Sequence, residues 1–364
     1  MKQPALGTAS LFLIIFISLG IIGLFEETTF STWVSFLLMC MVPTQILMAM
    51  VWQSSYPNFL QSMRQPVKGL VMTVMTVGIG GCAACFAYFV VGKGHGITPM
   101  LMMYIIFSIV LVFWFAALWQ CWPVALFTQN PLIIGASLLL IAYLGGYTLF
   151  VLLFDFSFLQ GAPVYFADAD PGGMFMAWTP LVFAVTSVAT IMMFPLFEGW
   201  PVRAIENPTL RAAASSAIVV AIAAAIYWLA TSVLGVDQVF FMVFVPVSFI
   251  FGTFLPLTFF QGGLLSKMQQ PLKGIALVIL CAIAAYLLQT IYMYFAPLVS
   301  GPLASGPEGN YQRELWLANA LLGLTFPLLV IMLDYFQFWP LVPQKKPEDQ
   351  QIDASASPTF KGNR

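Results

Sequence analysis

Charge is scarce in this chain. Asp, Glu, Lys and Arg make up 7% of its 364 residues, against 61% hydrophobic residues and a mean hydropathy of +0.94. That ratio leaves too few polar side chains to cover a water-facing surface, which excludes an ordinary soluble domain. Histidine is nearly absent. His95 stands alone in the turn "GKGHGIT", so no multi-histidine metal, haem or di-iron site can be assembled; the plain expectation for it is a solvated loop residue. There is no G-x-S-x-G and no P-loop, and the glycines of "GIGGCAAC" (78–85) fall inside an apolar run, where they read as a helix-packing face. The five cysteines (Cys40, Cys82, Cys85, Cys121 and Cys281) lie within or at the ends of apolar runs and read as small buried hydrophobes. Cys82 and Cys85 have C-x-x-C spacing but lack the flanks of a redox or zinc site. These absences argue against an enzyme, a cofactor, a bound metal and a nucleic-acid partner.

What the chain has in abundance is long apolar runs. A membrane span needs about 20 such residues, and ten runs qualify, at roughly 6–25, 32–52, 69–91, 99–119, 131–153, 175–196, 209–234, 238–260, 272–295 and 315–337. The first ends in "GLFEETTF" without a small-residue cleavage pattern and reads as a retained span. Ten spans put both termini on one side. That side carries Lys2, Arg64, Lys68, Arg203, Arg211, Lys267, Lys273 and the basic residues of the tail, leaving Lys93 and Arg313 opposite. The positive-inside rule then predicts cytoplasmic termini in a multi-pass cell-membrane protein, with the bacterial inner membrane as its expected location.

A repeated phrase organises the spans. "MRQPVKG" (63–69) and "MQQPLKG" (268–274) nearly coincide, and the opening "MKQPALG", "TQNPLIIG" (128–135) and "IENPTLR" (205–211) hold the same place before other odd-numbered spans. The even-numbered spans end alike, in "VWQSSYP", "LWQCWP", "LFEGWP", "FFQGG" and "YFQFWP". Proline in a first helical turn lacks an N–H that would be unpaired anyway, and the Gln or Asn before it can cap the free donors. Proline after a helix stops it, and Trp sits well at headgroup level. The predicted fold is therefore an all-α integral membrane protein: ten transmembrane helices in five tandem hairpins, as parallel pseudo-repeats at roughly 1–57, 58–123, 124–201, 202–263 and 264–342. A pseudo-fivefold ring is their natural closure. Residues 343–364 read as a disordered cytoplasmic tail.

The recurrent polar positions Gln53, Gln120, Glu198, Gln261 and Gln337 would form one layer at the joint end of such a ring, as channels use rings of polar side chains to select. The alternative reading has each amide capping the carbonyls of its own helix end. Asp334, one turn before Gln337, joins the layer as a further polar contact or as a solvated helix-end residue. The small residues of the odd helices ("AAASSAIVVAIAAAIY") favour them as the inner circle on steric grounds, although the even helices carry most mid-span prolines. Two longer outer loops, 155–175 and 296–314, could cover a vestibule or dock a partner, and Asp168 with Asp170 could hold a cation but read better as solvated.

This layout resembles that of the tellurite-resistance/dicarboxylate transporter and slow-anion-channel group, in which inner helices surround a pore; the resemblance is of layout and transfers no residues. The scarcity of buried charge fits a channel or transporter for a small neutral, apolar or weakly held solute, with the lipid bilayer as its medium. It fits equally a non-catalytic scaffold or anchor subunit with protein partners in a larger membrane complex. A lipid-acting enzyme at the cytoplasmic rim is a weaker third reading.

Overall fold

A computed structural model describes residues 5–254, 256–257, 265 and 267–342. The Gln261 position and the 343–364 tail lie outside the described residues. Ten apolar helices run through the rest: α1 (Ala5–Ile22), α2 (Glu27–Met50), α3 (Val67–Val91), α4 (Pro99–Leu118), α5 (Pro131–Leu153), α6 (Trp178–Leu196), α7 (Pro208–Val233), α8 (Gln238–Phe254), α9 (Leu272–Ser300) and α10 (Gln312–Tyr335). All but α8 are long and apolar enough to cross a membrane, and most residues following α8 in its expected run lie outside the described ones. The chain is a helical, membrane-embedded protein. In hydrocarbon a helix satisfies its own backbone groups, which is why these runs form helices rather than open strands.

The helix starts follow from the residues before them. Asn130 and Asn207 each precede a proline at the first helical position, and their side chains accept from Leu132 N (3.0 Å) and Leu210 N (3.1 Å). The Gln-Pro starts work differently. Gln65 Oε1 accepts from Gly69 N at 3.2 Å while its Nε2 donates to the Tyr335 carbonyl at 2.6 Å, and Gln270 likewise accepts from Gly274 N at 3.1 Å and donates to the Leu196 carbonyl at 3.1 Å. One amide thus caps the start of its own helix and ties it to the end of another.

The even helices end in a shared backbone turn. Gln53, Gln120, Glu198 and Gln337 have φ of 47°, 50°, 54° and 51°, the left-handed region. The residue after each returns its N–H to a carbonyl in the last helical turn: Ser54 to Met48, Cys121 to Phe115, Gly199 to Phe194 and Phe338 to Met332, at 2.8–3.0 Å. This is the closure by which helices most often end.

The preference for odd helices on the inside is reversed by the structure. In the apolar stretches of α2, α4, α6 and α10, 61–72% of residues are buried, against 22–44% in α1, α3, α5, α7 and α9. The small residues of the odd helices form a narrow stripe rather than a whole inner surface. On α5 the buried positions are Gly135, Leu138, Ala142, Gly146 and Phe150, and on α7 Ala212, Ser215, Val219 and Ala223 open the stripe, at three- and four-residue spacing. Leu140, Leu144 and Val220 on the other faces are exposed, as lipid contact requires. Among the even helices, α2 packs against α4 and α10, α4 against α6, α6 against α8, and α8 against α10.

The aromatic residue before each left-handed turn packs on the small residue opening an odd helix. Phe336 lies against Gly69, Trp52 against Gly135 and Phe197 against Gly274. Trp119 donates through Nε1 to Ser216 Oγ on α7 at 2.7 Å. In each case the helix touched is three further along the chain, or ten fewer than that in the case of α10 on α3.

At the opposite end, two short strands, β1 (Phe154–Asp155) and β2 (Phe175–Met176), pair in parallel and close the base of the longer loop. Sequence gave no sign of them. His95, expected to be solvated, is instead engaged: its ring stacks on Phe166 at 4.2 Å and its Nε2 lies 2.8 Å from Asp168. That hydrogen bond from His95 holds the Asp168 carboxyl below the usual carboxylate range. Asp170 accepts from Phe156 N, Gly172 N and Tyr165 OH at 3.0–3.1 Å. The two aspartates therefore hold different parts of the loop.

Candidate functional site

All five even helices meet at one cavity. It measures about 230 Å³ and takes Met39 from α2, Met102 from α4, Leu181 from α6, Met242 from α8 and Asn319 from α10. Met102, Leu181 and Met242 sit in the first turns of their helices, Asn319 two turns in and Met39 midway along α2, and Thr98 and Val164 come from the loops, so the cavity runs from the loop end toward mid-membrane, away from the joints. Its wall is mainly thioether and aliphatic, which is polarizable and adapts to irregular shapes. Ser31, Thr32, Thr98 and Asn319 are its polar points. Asn319 Nδ2 donates to the Ser31 carbonyl at 3.3 Å. Thr98 is 4% exposed, and its Oγ1 has no hydrogen-bond partner among the described residues. A hydroxyl left so is costly unless something else bonds to it, and Thr98 is among the residues that line the cavity.

Toward the joint end, the buried positions of the same helices are mostly apolar, among them Ile46, Val110, Val188, Ile250 and Val330, and the buried hydroxyls of Ser108, Thr186, Ser187, Thr190, Ser248, Thr253 and Thr325 each donate to a carbonyl of their own helix. Two polar side chains on α2 are not served in this way. Gln45 is fully buried and donates to the Pro327 carbonyl at 3.3 Å, with Oε1 unpartnered, and the buried Thr44 Oγ1 is also unpartnered among the described residues. An Asn or Gln inside an apolar span is expensive in hydrocarbon, and "LANALLG" and "VPTQIL" carried that signal in plain view. A search confined to ionisable side chains passes over both.

The structure places Gln53, Gln120, Glu198 and Gln337 at the joint end, all exposed, and none of them lines the cavity. It brings no two of them into hydrogen-bond contact among the described residues. Asp334 is half-buried one turn earlier. The side chains of Gln53, Gln120 and Gln337 make no hydrogen bond among the described residues, so the caps at these joints come from the Gln-Pro and Asn-Pro amides instead. Glu198 differs. Its Oε1 accepts from Lys273 Nζ at 2.6 Å and its Oε2 lies 3.9 Å from Arg203 Nη1. The Lys273 bond is the main reason its carboxyl sits below the ordinary range. The charge at one joint thus answers the lysine of "QPLKG", which Phe197 packing on Gly274 brings alongside.

A residue with a Cβ in the left-handed region costs about 1 kcal/mol relative to glycine. Ser54, Cys121 and Phe338, the residues after three of these positions, are left-handed as well, so the strain belongs to the turn as a whole rather than to the Gln or Glu. Gln53→Gly is accordingly expected to raise stability by about 1 kcal/mol in thermal unfolding of the detergent-solubilised protein. A loss of stability would mean that the amide holds the joint.

The chain matches no family model, no curated protein and no solved structure.

Proposed function

We propose that this chain is a channel or transporter for a small neutral solute, and that the cavity shared by the five even helices is where the solute is held. The observation that carries the reading is that each of these helices contributes to one apolar cavity with a few hydrogen-bonding points. Such a lining suits an apolar molecule bearing a single polar group, and it offers no charge to pair with an ion.

On this reading the even helices form a closed inner ring and the odd helices an outer one, five hairpins about an axis along the membrane normal. The sequence of even-helix contacts, from α2 through α10 and back to α2, supports the closure. So does the regular step by which Trp52, Trp119, Phe197 and Phe336 each reach the third helix onward. The apolar turns beyond the cavity act as the closed gate, which passes solute when it widens and wets. Gln53, Gln120, Glu198, Gln337 and Asp334 are the polar contacts at the joint end, which the basic residues assign to the cytoplasm.

The test is shrink–swell light scattering on proteoliposomes stressed with glycerol, urea or short alcohols. Wild-type vesicles are expected to equilibrate at least one probe faster than empty ones. Ala318→Trp, which fills the cavity from α10, should cut that rate by about tenfold or more while the protein still elutes as a single species. Vesicles no leakier than empty ones for every probe, with a stoichiometric protein partner retained in mild detergent, would move the chain to the anchor role.

A further inference from the structure

A groove larger than the proposed solute cavity lies off the solute path. It holds about 610 Å³ between α5 and α7, floored by α4 and α6, with Phe107, Leu111 and Trp114 from α4, Phe183 from α6, Leu149 from α5 and Tyr227 from α7 on its walls. From Phe107 to Trp119 its floor rises about 18 Å at helical pitch, close to the ~15 Å of one leaflet's hydrocarbon. Trp119 ends it, and the same Trp119 walls a second pocket of about 210 Å³ at the joint end.

That second pocket has the opposite chemistry. Gln120, Trp122 and Arg211 line it together with Pro208, the first residue of α7, and its lining contains no carboxylate. The Trp122 indole nitrogen is buried and has no hydrogen-bond partner, and Arg211 makes no ion pair among the described residues. The start of α7 adds the positive end of a helix dipole. Leu210 N at that helix start is already capped by Asn207, so the donors left for a ligand are Arg211 and the Trp122 N–H, and with no carboxylate beside them they suit an anionic oxygen ligand.

We infer that the groove and the pocket together bind one anionic phospholipid, its acyl chain along α4 between α5 and α7 and its phosphate on Arg211 and Trp122 Nε1. The apolar length and the electropositive end share one residue, Trp119, which is fixed by its bond to Ser216 and by edge contacts with Phe115 and Trp122 at ring-centroid distances of 5.0 and 5.1 Å. A free anion would use only the second pocket. A zwitterionic lipid such as phosphatidylcholine offers the same phosphate but brings a quaternary ammonium beside Arg211, where the lining has no carboxylate to pair with it.

Native mass spectrometry of the full chain, purified in mild detergent and offered phosphatidylglycerol or phosphatidylcholine of matched chains, tests this. One phosphatidylglycerol per chain is expected to survive, with about tenfold preference over phosphatidylcholine. Arg211→Gln should erase the preference, Arg211→Lys should keep most of it, Trp122→Phe should lower the retention of both lipids, and Leu111→Trp, which fills the groove, should remove both. Equal retention of the two lipids by the wild type overturns the proposal. So does a preference that survives Arg211→Gln, retention that Trp122→Phe leaves unchanged, or a thermal shift with inorganic phosphate as large as with phosphatidylglycerol. Should Arg211→Gln not fold, Trp122→Phe and the wild-type competition decide the matter alone.

Discussion

Gly252→Leu is expected to destabilise the protein by about 3 kcal/mol, the upper range for forcing bulk into a packed interior. A Cβ at Gly252 would press on the Cys281 carbonyl and on the backbone and side chain of Ala285, where α8 crosses α9. Neither neighbour is the movable tip of a long side chain. The helices must separate, and with them Ile250 and Phe251, which belong to the main core. Gly78 and Gly81 supply the control, because a Cβ at either meets nothing within 4 Å and leucine propagates a helix better than glycine. Thermal unfolding in detergent should separate Gly252→Leu from Gly78→Leu by several degrees. Similar midpoints would mean that α8 and α9 are not in contact at this glycine.

Gln270→Leu is expected to cost about 2–4 kcal/mol, since an unpaired buried polar group costs about 1–3 kcal/mol and this change strands two. The Leu196 carbonyl loses its donor and the Gly274 N–H loses its acceptor. Gln65→Leu should behave the same way through Tyr335 and Gly69. The comparison is Gln129→Leu, where an exposed amide makes one long contact of 3.4 Å to Ala125 O, and the expected effect is within about 0.5 kcal/mol. If all three substitutions gave equal midpoints, the Gln of Gln-Pro would be a helix starter and nothing more.

Much of this was legible beforehand. The ten apolar runs are ten helices, the Asn-Pro starts are helix caps, and the aromatic-Gln/Glu phrase marks the ends of even helices because its position in the backbone turn is the same each time. The inner and outer assignment was misread for a definite reason. Composition counts the small residues of "AAASSAIVVAIAAAIY" without saying that only one face of three-to-four spacing is used, so a stripe that lets the even helices approach reads like a lining. Most apolar faces of α3, α5, α7 and α9 look outward, and lipid asks of a side chain much what a protein core asks. Hydrophobicity cannot separate the two in a membrane. The cavity was invisible for another reason: Thr98, Met102, Leu181, Met242 and Asn319 come from four helices and a loop, and no spacing along the chain joins them. The tie between His95 and Asp168 also needed the fold, since 73 residues separate them.

The bond from Gln65 to the Tyr335 carbonyl joins residues 270 apart. At a synthesis rate of about 5–20 residues per second, the two ends of that joint emerge tens of seconds apart. Throughout that interval the newborn α3 lies in the bilayer with the Gly69 face uncovered, waiting for Phe336. A ribosome that stopped before α10 would release a chain whose first half is complete yet unlatched, with a glycine notch at Gly69 that the last helix covers on its arrival.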